Sequence, residues 1–218
     1  MKNTLLILLF TLFTTLIVAQ EKDGIKIGIN AGATLSNVRG DADDYNSSVD
    51  FLAGVSLEVP LSTNLAFITN INYERKTFSQ DVYLEFDPNF DPLIDNTEKY
   101  KFKSTLQYIS VPLNLKYYIG GKKNFYLNAG PYVAFFVDDV YKLDGENLKE
   151  WGTSSQLKEV DFGVNLGVGT RIGVNEYSNI NIELRHNYGL SNIDDTPYEK
   201  YTIKTNAFNL IVNWAFEL

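Results

Sequence analysis

The sequence predicts an all-β protein: an eight-stranded antiparallel up-and-down β-barrel that crosses a membrane with its strands. Three observations lead there. Apolar and polar residues alternate with period two along most of the chain after residue 20, which is the spacing of the two faces of a strand. The alternating segments are joined by connections that are short and long in strict turn. The polar face carries Gly, Asn, Ala and a few opposed charges, where a sheet facing water would carry Lys, Glu and Thr. Such a face suits a confined interior, which leaves the apolar face outside, toward lipid.

The chain begins MKNTLLILLFTLFTTLIVAQ. Lys2 is a positive start, residues 5–18 are an apolar run, and Ala19-Gln20 offers a cleavage point, the pattern of an export signal. The run is short for a membrane-crossing helix, and an acidic, strand-rich chain follows at once. The expected organisation is therefore a signal peptide over 1–20 and one barrel domain over 21–218, with the mature protein in the outer membrane. No cysteine follows the run, so the signal is not of the lipoprotein type.

Eight segments alternate in order: 25–37, 50–59, 64–76, 103–119, 124–137, 160–174, 178–190 and 204–217. Each is near or above the 9–11 residues that a tilted strand needs to cross a bilayer. In the fifth, Tyr126, Tyr132 and Phe136 fall on the polar-side parity. In the sixth, Val160, Phe162, Val164, Leu166, Val168, Ile172 and Val174 oppose Asp161, Asn165, Arg171 and four glycines. In the seventh, Ile180, Ile182, Leu184 and Tyr188 oppose Asn181, Glu183, Arg185 and Asn187. The eighth sets Phe208, Leu210, Val212, Trp214, Phe216 and Leu218 against Asn209, Asn213 and Glu217.

The connections PLST (60–63), GGKK (120–123) and NEYS (175–178) are tight turns. Those over 38–49, 77–102, 138–159 and 191–203 are long. Short periplasmic turns and long external loops are the habit of outer-membrane barrels, and both termini then lie on the periplasmic side. The chain carries 27 acidic against 19 basic residues. The acidic excess is concentrated in the four long connections, while strands and turns are close to neutral. A nucleic-acid surface would be basic, so no nucleic-acid partner is expected.

The stretch DFGVNLGVGTRIG (161–173) resembles a phosphate-binding loop only superficially. The spacing after Gly167-Val-Gly169 is one residue too long for a dinucleotide fingerprint, no helix follows, and no Gly-Lys-Ser/Thr is present. No cofactor is expected. Gly163, Gly167, Gly169 and Gly173 share parity with Arg171 and point inward. A simple hairpin through NEYS sets Gly167 against Arg185 and Gly169 against Glu183, so the glycines leave room for large side chains in a narrow barrel. Inward parity also gathers Glu74, Lys116, Asp161, Arg171, Glu183 and Arg185 into a lumen charge network, either a structural plug or an ion path. Buried charges of this kind are expected in pairs.

In LQYISVPLNLKYYIG (106–120), Tyr108, Val111-Pro112-Leu113 and Lys116-Tyr117 form a pattern with a proline in mid-strand, where it removes a ladder donor. FYLNAGPYVAFF (125–136), the glycine strand and IELRHNYGLSNI (182–193) follow in that order. Together these segments resemble the PorT-like outer-membrane β-barrel family of Bacteroidota, often labelled a porin family. The resemblance spans essentially the whole mature chain. It implies an eight-stranded outer-membrane barrel and supplies no catalytic motif. Its founding member is linked to a protein secretion apparatus. The terminal NWAFEL, with Trp214, Phe216 and Leu218 on one face, resembles the signal read by the outer-membrane insertion machinery.

No catalytic residue or metal site is expected. The single histidine, His186, has the parity of Ile182 and Leu184 and should face lipid near the outer rim, in reach of a lipid phosphate. Asp41, Asp43, Asp44, Asp87 and Asp91 are acidic loop residues without the spacing of a calcium loop. The connection 77–102, with Tyr83, Phe86, Phe90 and Tyr100, is either strand extending above the membrane or a binding surface. The expected role is structural or binding, with outer-membrane lipid, lipopolysaccharide, the insertion machinery and an envelope protein or surface ligand as partners. The alternatives are a small-solute channel, a component of a secretion complex, a lipid-modifying barrel enzyme and a soluble periplasmic barrel.

Overall fold

The computed structural model describes residues 24–41, 44–85, 97–148, 157–196 and 201–218. The expected signal segment lies outside them, as do Asp43, Phe86, Asp87, Phe90 and Asp91. The strands are β1 (Lys26–Gly40), β2 (Asn46–Pro60), β3 (Leu65–Glu85), β4 (Thr97–Ile119), β5 (Phe125–Leu143), the two-residue β6 (Glu146–Asn147), β7 (Val160–Asn175), β8 (Ser178–Gly189) and β9 (Ile203–Glu217). The sheet runs β4-β3-β2-β1-β9-β8-β7-β5, every pairing is antiparallel, and since β4 also pairs with β5 the sheet is a closed ring in which β1 meets β9. β6 adds only a short flap to β5. The barrel wall is therefore eight strands.

The period-two pattern sets the wall's two faces. Ile29, Val55, Ile71, Leu115, Leu166, Leu184 and Leu210 are all more than half exposed, while their inward neighbours are polar and buried. A water-soluble monomer rarely leaves so continuous an apolar surface bare. Lipid is the solvent that such a belt matches.

Three features of the wall were not legible in the alternation. The described residues of the connection 77–102 are all strand, and in the connection 138–159 strand covers 138–143 and 146–147. β3 and β4 continue as a ladder to Glu85↔Thr97, and β5 runs to Leu143 before turning at Asp144-Gly145. Above the apolar belt a strand needs backbone partners but no apolar face, so its hydropathy signal fades while its hydrogen bonds continue. The β2–β3 register breaks between Ser47 and Leu52. Within that bulge Ser36 reaches across from β1: its hydroxyl accepts from Thr77 N at 2.7 Å and donates to Thr77 O at 2.9 Å. The β3–β4 ladder also skips the positions opposite Val111 and Pro112, where proline has no N–H to give. There Thr69 Oγ1 donates to the Pro112 carbonyl at 2.9 Å instead.

Candidate functional site

The lumen is lined by side chains that alternation sends inward, and many of those described are fully buried. Tyr108, Asn114, Lys116 and Asp161 are 0 % exposed. Among the described residues the buried charges on the wall strands are Lys26, Lys76, Lys116 and Arg185 against Glu58, Glu74, Asp161 and Glu183, equal in number and opposite in sign, and Asp194 in the connection after β8 is buried as well. Three ion pairs sit in direct contact: Lys76–Asp161 at 2.9 Å, Lys116–Glu58 at 2.8 Å and Arg185–Glu183 at 2.6 Å. Lys26 faces Glu217 at 3.8 Å near the turn end.

Each pair has further hydrogen bonds, which buried charges require. Asp161 accepts from Thr205 at 2.7 Å and from Ser191 at 2.6 Å. Glu58 accepts from Tyr118 at 2.5 Å. Glu183 accepts from Asn128 at 2.8 Å and from Tyr126 at 3.1 Å. Asparagines bridge the rest, as in Asn213 to Asn30 at 2.7 Å and Asn30 to Asn72 at 3.0 Å. Glu74 has no contact ion pair among the described residues and accepts from Asn209 at 2.9 Å. Between Asn30, Asn70, Glu183 and Arg185 is a cavity of about 10 Å³, about the room of one water molecule.

Glu74, Lys116, Asp161, Glu183 and Arg185 are all buried in the lumen. Arg171 departs from the expected network. The residue is half-buried at the turn-end mouth, with its guanidinium 5.7 Å from the Tyr118 ring centre and no ion pair among the described residues. Lys76 and Glu58 are the missed partners. Lys76 shares parity with Glu74, which was the available signal, but it stands at the last position of the expected third segment.

The hairpin register pairs Gly167 with Arg185 and Gly169 with Glu183. The space these glycines leave is used mostly from the other side. A Cβ on Gly169 would run into the Tyr126 ring, one on Gly163 would approach Tyr132, and one on Gly167 would crowd Asn128 and Glu183. Gly173 has open space around it.

Toward the loop end the lumen changes character. Val38, Phe78, Leu106, Tyr108, Tyr132, Ala134 and Ile193 form a buried apolar layer, with Tyr45, Phe136, Leu157 and Ile203 packed on it. Ile193 comes from the connection after β8, which dips into the mouth and is held by Ile193 N to Ile203 O at 2.8 Å and Lys158 N to Ile193 O at 2.9 Å. The expectation of a polar lumen therefore holds for its middle and turn end, and an apolar plug follows above. Beyond the plug, the β3–β4 hairpin carries a Lys99–Asp81 pair at 2.8 Å, in which the hydrogen bond to Asp81 raises the Lys99 ammonium above its ordinary value.

His186 is on the outer wall, stacked on Phe208 at 4.3 Å and hydrogen-bonded through Nε2 to Asn206 at 2.7 Å. Ser191 donates to Asp161 inside the lumen. The two therefore do not form a nucleophile–base pair. Trp214 and Phe216 touch at 4.9 Å between centroids on the outer turn-end face, and Leu218 is exposed.

A closed antiparallel ring with an apolar exterior and a charge-paired interior defines the class of transmembrane β-barrels. The chain belongs to the outer membrane protein beta-barrel domain family, whose model matches residues 18–195. Among solved structures it is similar to Escherichia coli Outer Membrane Protein W, at 13% identity, covering 91% of this chain and 100% of that one, with a TM-score of 0.50. It is also similar to OprG from Pseudomonas aeruginosa, at 15% identity, 92% and 99% coverage and a TM-score of 0.48. A third similar structure is Ail, the attachment invasion locus protein of Yersinia pestis, at 14% identity, 89% and 100% coverage and a TM-score of 0.42. No curated protein sequence matches the chain.

Proposed function

We propose that this protein is a non-conducting outer-membrane barrel whose work is done by what its loop end presents, and that within its family it is of the PorT-like kind. The observation that carries this reading is the filling of the lumen, by three contact ion pairs and an apolar plug above them. The balanced charges of the wall strands offer no field to select ions, and the cavity of about 10 Å³ between them has no room for a solute. The loop end, in contrast, presents a sheet of β3, β4, β5 and β6 that continues above the belt. On it Phe102 stacks on Tyr141 at 5.8 Å and Tyr83 is exposed. This acidic, aromatic-bearing sheet is the surface for an envelope protein or a surface ligand.

Planar-bilayer recording of the purified full-length barrel tests the proposal. The expected result is a silent bilayer. Reproducible conductance steps that change size in a Glu183→Gln or Lys116→Met variant would replace this reading with the small-solute channel.

A further inference from the structure

On the outer wall near the loop end, two cations stand side by side with no carboxylate between them. Arg39 on β1 and Lys204 on β9 are register partners. They share the outward parity of Leu35 and Phe208, both exposed. Neither forms an ion pair among the described residues. Of the other outward cations, Arg75 lies 3.5 Å from Asp50 and Lys99 lies 2.8 Å from Asp81, while Lys103 and Lys142 oppose each other on the sheet that continues above the belt. The carboxylate at the same strand end, Asp41, instead accepts from Thr202 N at 2.7 Å. Like charges directly opposed across a ladder destabilise it unless an anion comes between them.

Arg39 is also held in place. Its guanidinium lies 3.6 Å over the Tyr188 ring, and one of its nitrogens donates to the Gly189 carbonyl. A stacked guanidinium keeps its charge and remaining donors for a planar or tetrahedral oxyanion. One step toward the turn end comes a polar tier, with Asn37 opposite Asn206 and Asn206 opposite Tyr188. Below that lies an outward groove of about 200 Å³, lined by Leu127, Leu166, Val168, Leu184, His186 and Phe208.

From loop end to mid-wall, the order is paired cations, polar tier, apolar groove. That is the order of phosphate, headgroup and acyl chain in a membrane lipid. We propose that Arg39 and Lys204 hold the phosphate of a phosphorylated membrane lipid whose acyl chain lies in the groove beside His186 and Phe208. The site is independent of whether the lumen conducts.

The test uses the full-length barrel in phosphatidylcholine nanodiscs doped with a phosphorylated glycolipid or with its dephosphorylated form. Lipid retained after detergent extraction is counted by native mass spectrometry. The wild type should retain the phosphorylated lipid selectively. Arg39→Gln with Lys204→Gln should weaken retention about tenfold, the loss expected for one charge-assisted hydrogen bond. Lys204→Gln alone should show part of that loss if the double variant fails to fold. Arg75→Gln should change nothing. Phe208→Ala should weaken retention of the lipid. Equal retention of the dephosphorylated lipid, no loss in the Lys204→Gln variant, or inorganic phosphate competing as strongly as the lipid would each overturn the proposal.

Discussion

At the scale of the residue, the interior depends on pairs. Lys76 and Asp161 are 2 % and 0 % exposed and 2.9 Å apart, and the Lys76 ammonium also lies 4.9 Å from the Tyr108 ring centre. Removing one partner leaves the other charged and buried without its counter-ion, which costs about 3–5 kcal/mol. Lys76→Met should therefore lower the urea midpoint sharply, measured by the loss of heat-modifiable gel migration. Lys76→Met with Asp161→Leu should recover most of that loss, because apolar isosteres often replace a buried pair without penalty. A double variant no better than the single one would mean that Asp161 matters for Ser191 and Thr205 more than for Lys76. Asp161 was legible from parity in the glycine strand. Its partner was not, because pairing across a barrel joins residues 85 positions apart and alternation says nothing about which inward lysine meets which inward aspartate. The glycines show the same limit. Their inward direction followed from the pleat, but the rings that fill their space come from β5, the neighbour opposite to the one the hairpin suggested.

At the scale of the element, sequence reading found every strand of the wall and the register of the β7–β8 hairpin but placed the loop-end limits of β3, β4 and β5 too low. Hydropathy marks where lipid ends, whereas the ladder ends where the backbone turns. The Asp144-Gly145 turn was the readable sign that β5 continues and doubles back. Its positive φ angles of 47° and 93° are those that a tight hairpin turn demands. The Lys99–Asp81 pair and the Lys101–Asp144 hydrogen bond hold the projecting β3–β4 hairpin to itself and to the β5 turn, so it should be dispensable for folding. Gln80 and Phe102 are register partners. Replacing residues 81–101 by Asn-Gly therefore closes the hairpin without shifting any pairing below it. Loop-closure entropy depends only weakly on length, so the urea midpoint of the shortened barrel should stay close to that of the full chain. Collapse of heat-modifiable migration in this variant would show that the projection is part of the folding unit. If the shortened barrel keeps its fold but loses recognition of a surface partner, the binding surface lies in the hairpin.

At the scale of the whole molecule, the ring closes between the first and last strands of the wall, and assembly must bring together residues nearly the full chain apart. The seam pairs Ile27 with Phe216 and Ile29 with Trp214, and Leu218 N donates to Ile25 O at 2.9 Å. The aromatic end of β9 thus has two roles that can be separated. As packing, Trp214 and Phe216 face outward with their centroids 4.9 Å apart, beside their cross-strand partners Ile29 and Ile27. As a recognition signal, they are the exposed face of the last strand before it is captured by β1. Substituting Trp214→Ala and Phe216→Ala leaves the backbone seam of fifteen β1–β9 partners in place. The purified variant should therefore refold into detergent micelles with near wild-type gel migration. In cells the same variant should reach the outer membrane at a clearly reduced level, measured by fractionation and blotting. A Leu218→Phe change should raise that level without altering detergent refolding, because Leu218 is 77 % exposed and packs little in the finished barrel. A parallel fall in micelles and in cells would assign these aromatics to seam stability and remove the need for a recognition step that reads them.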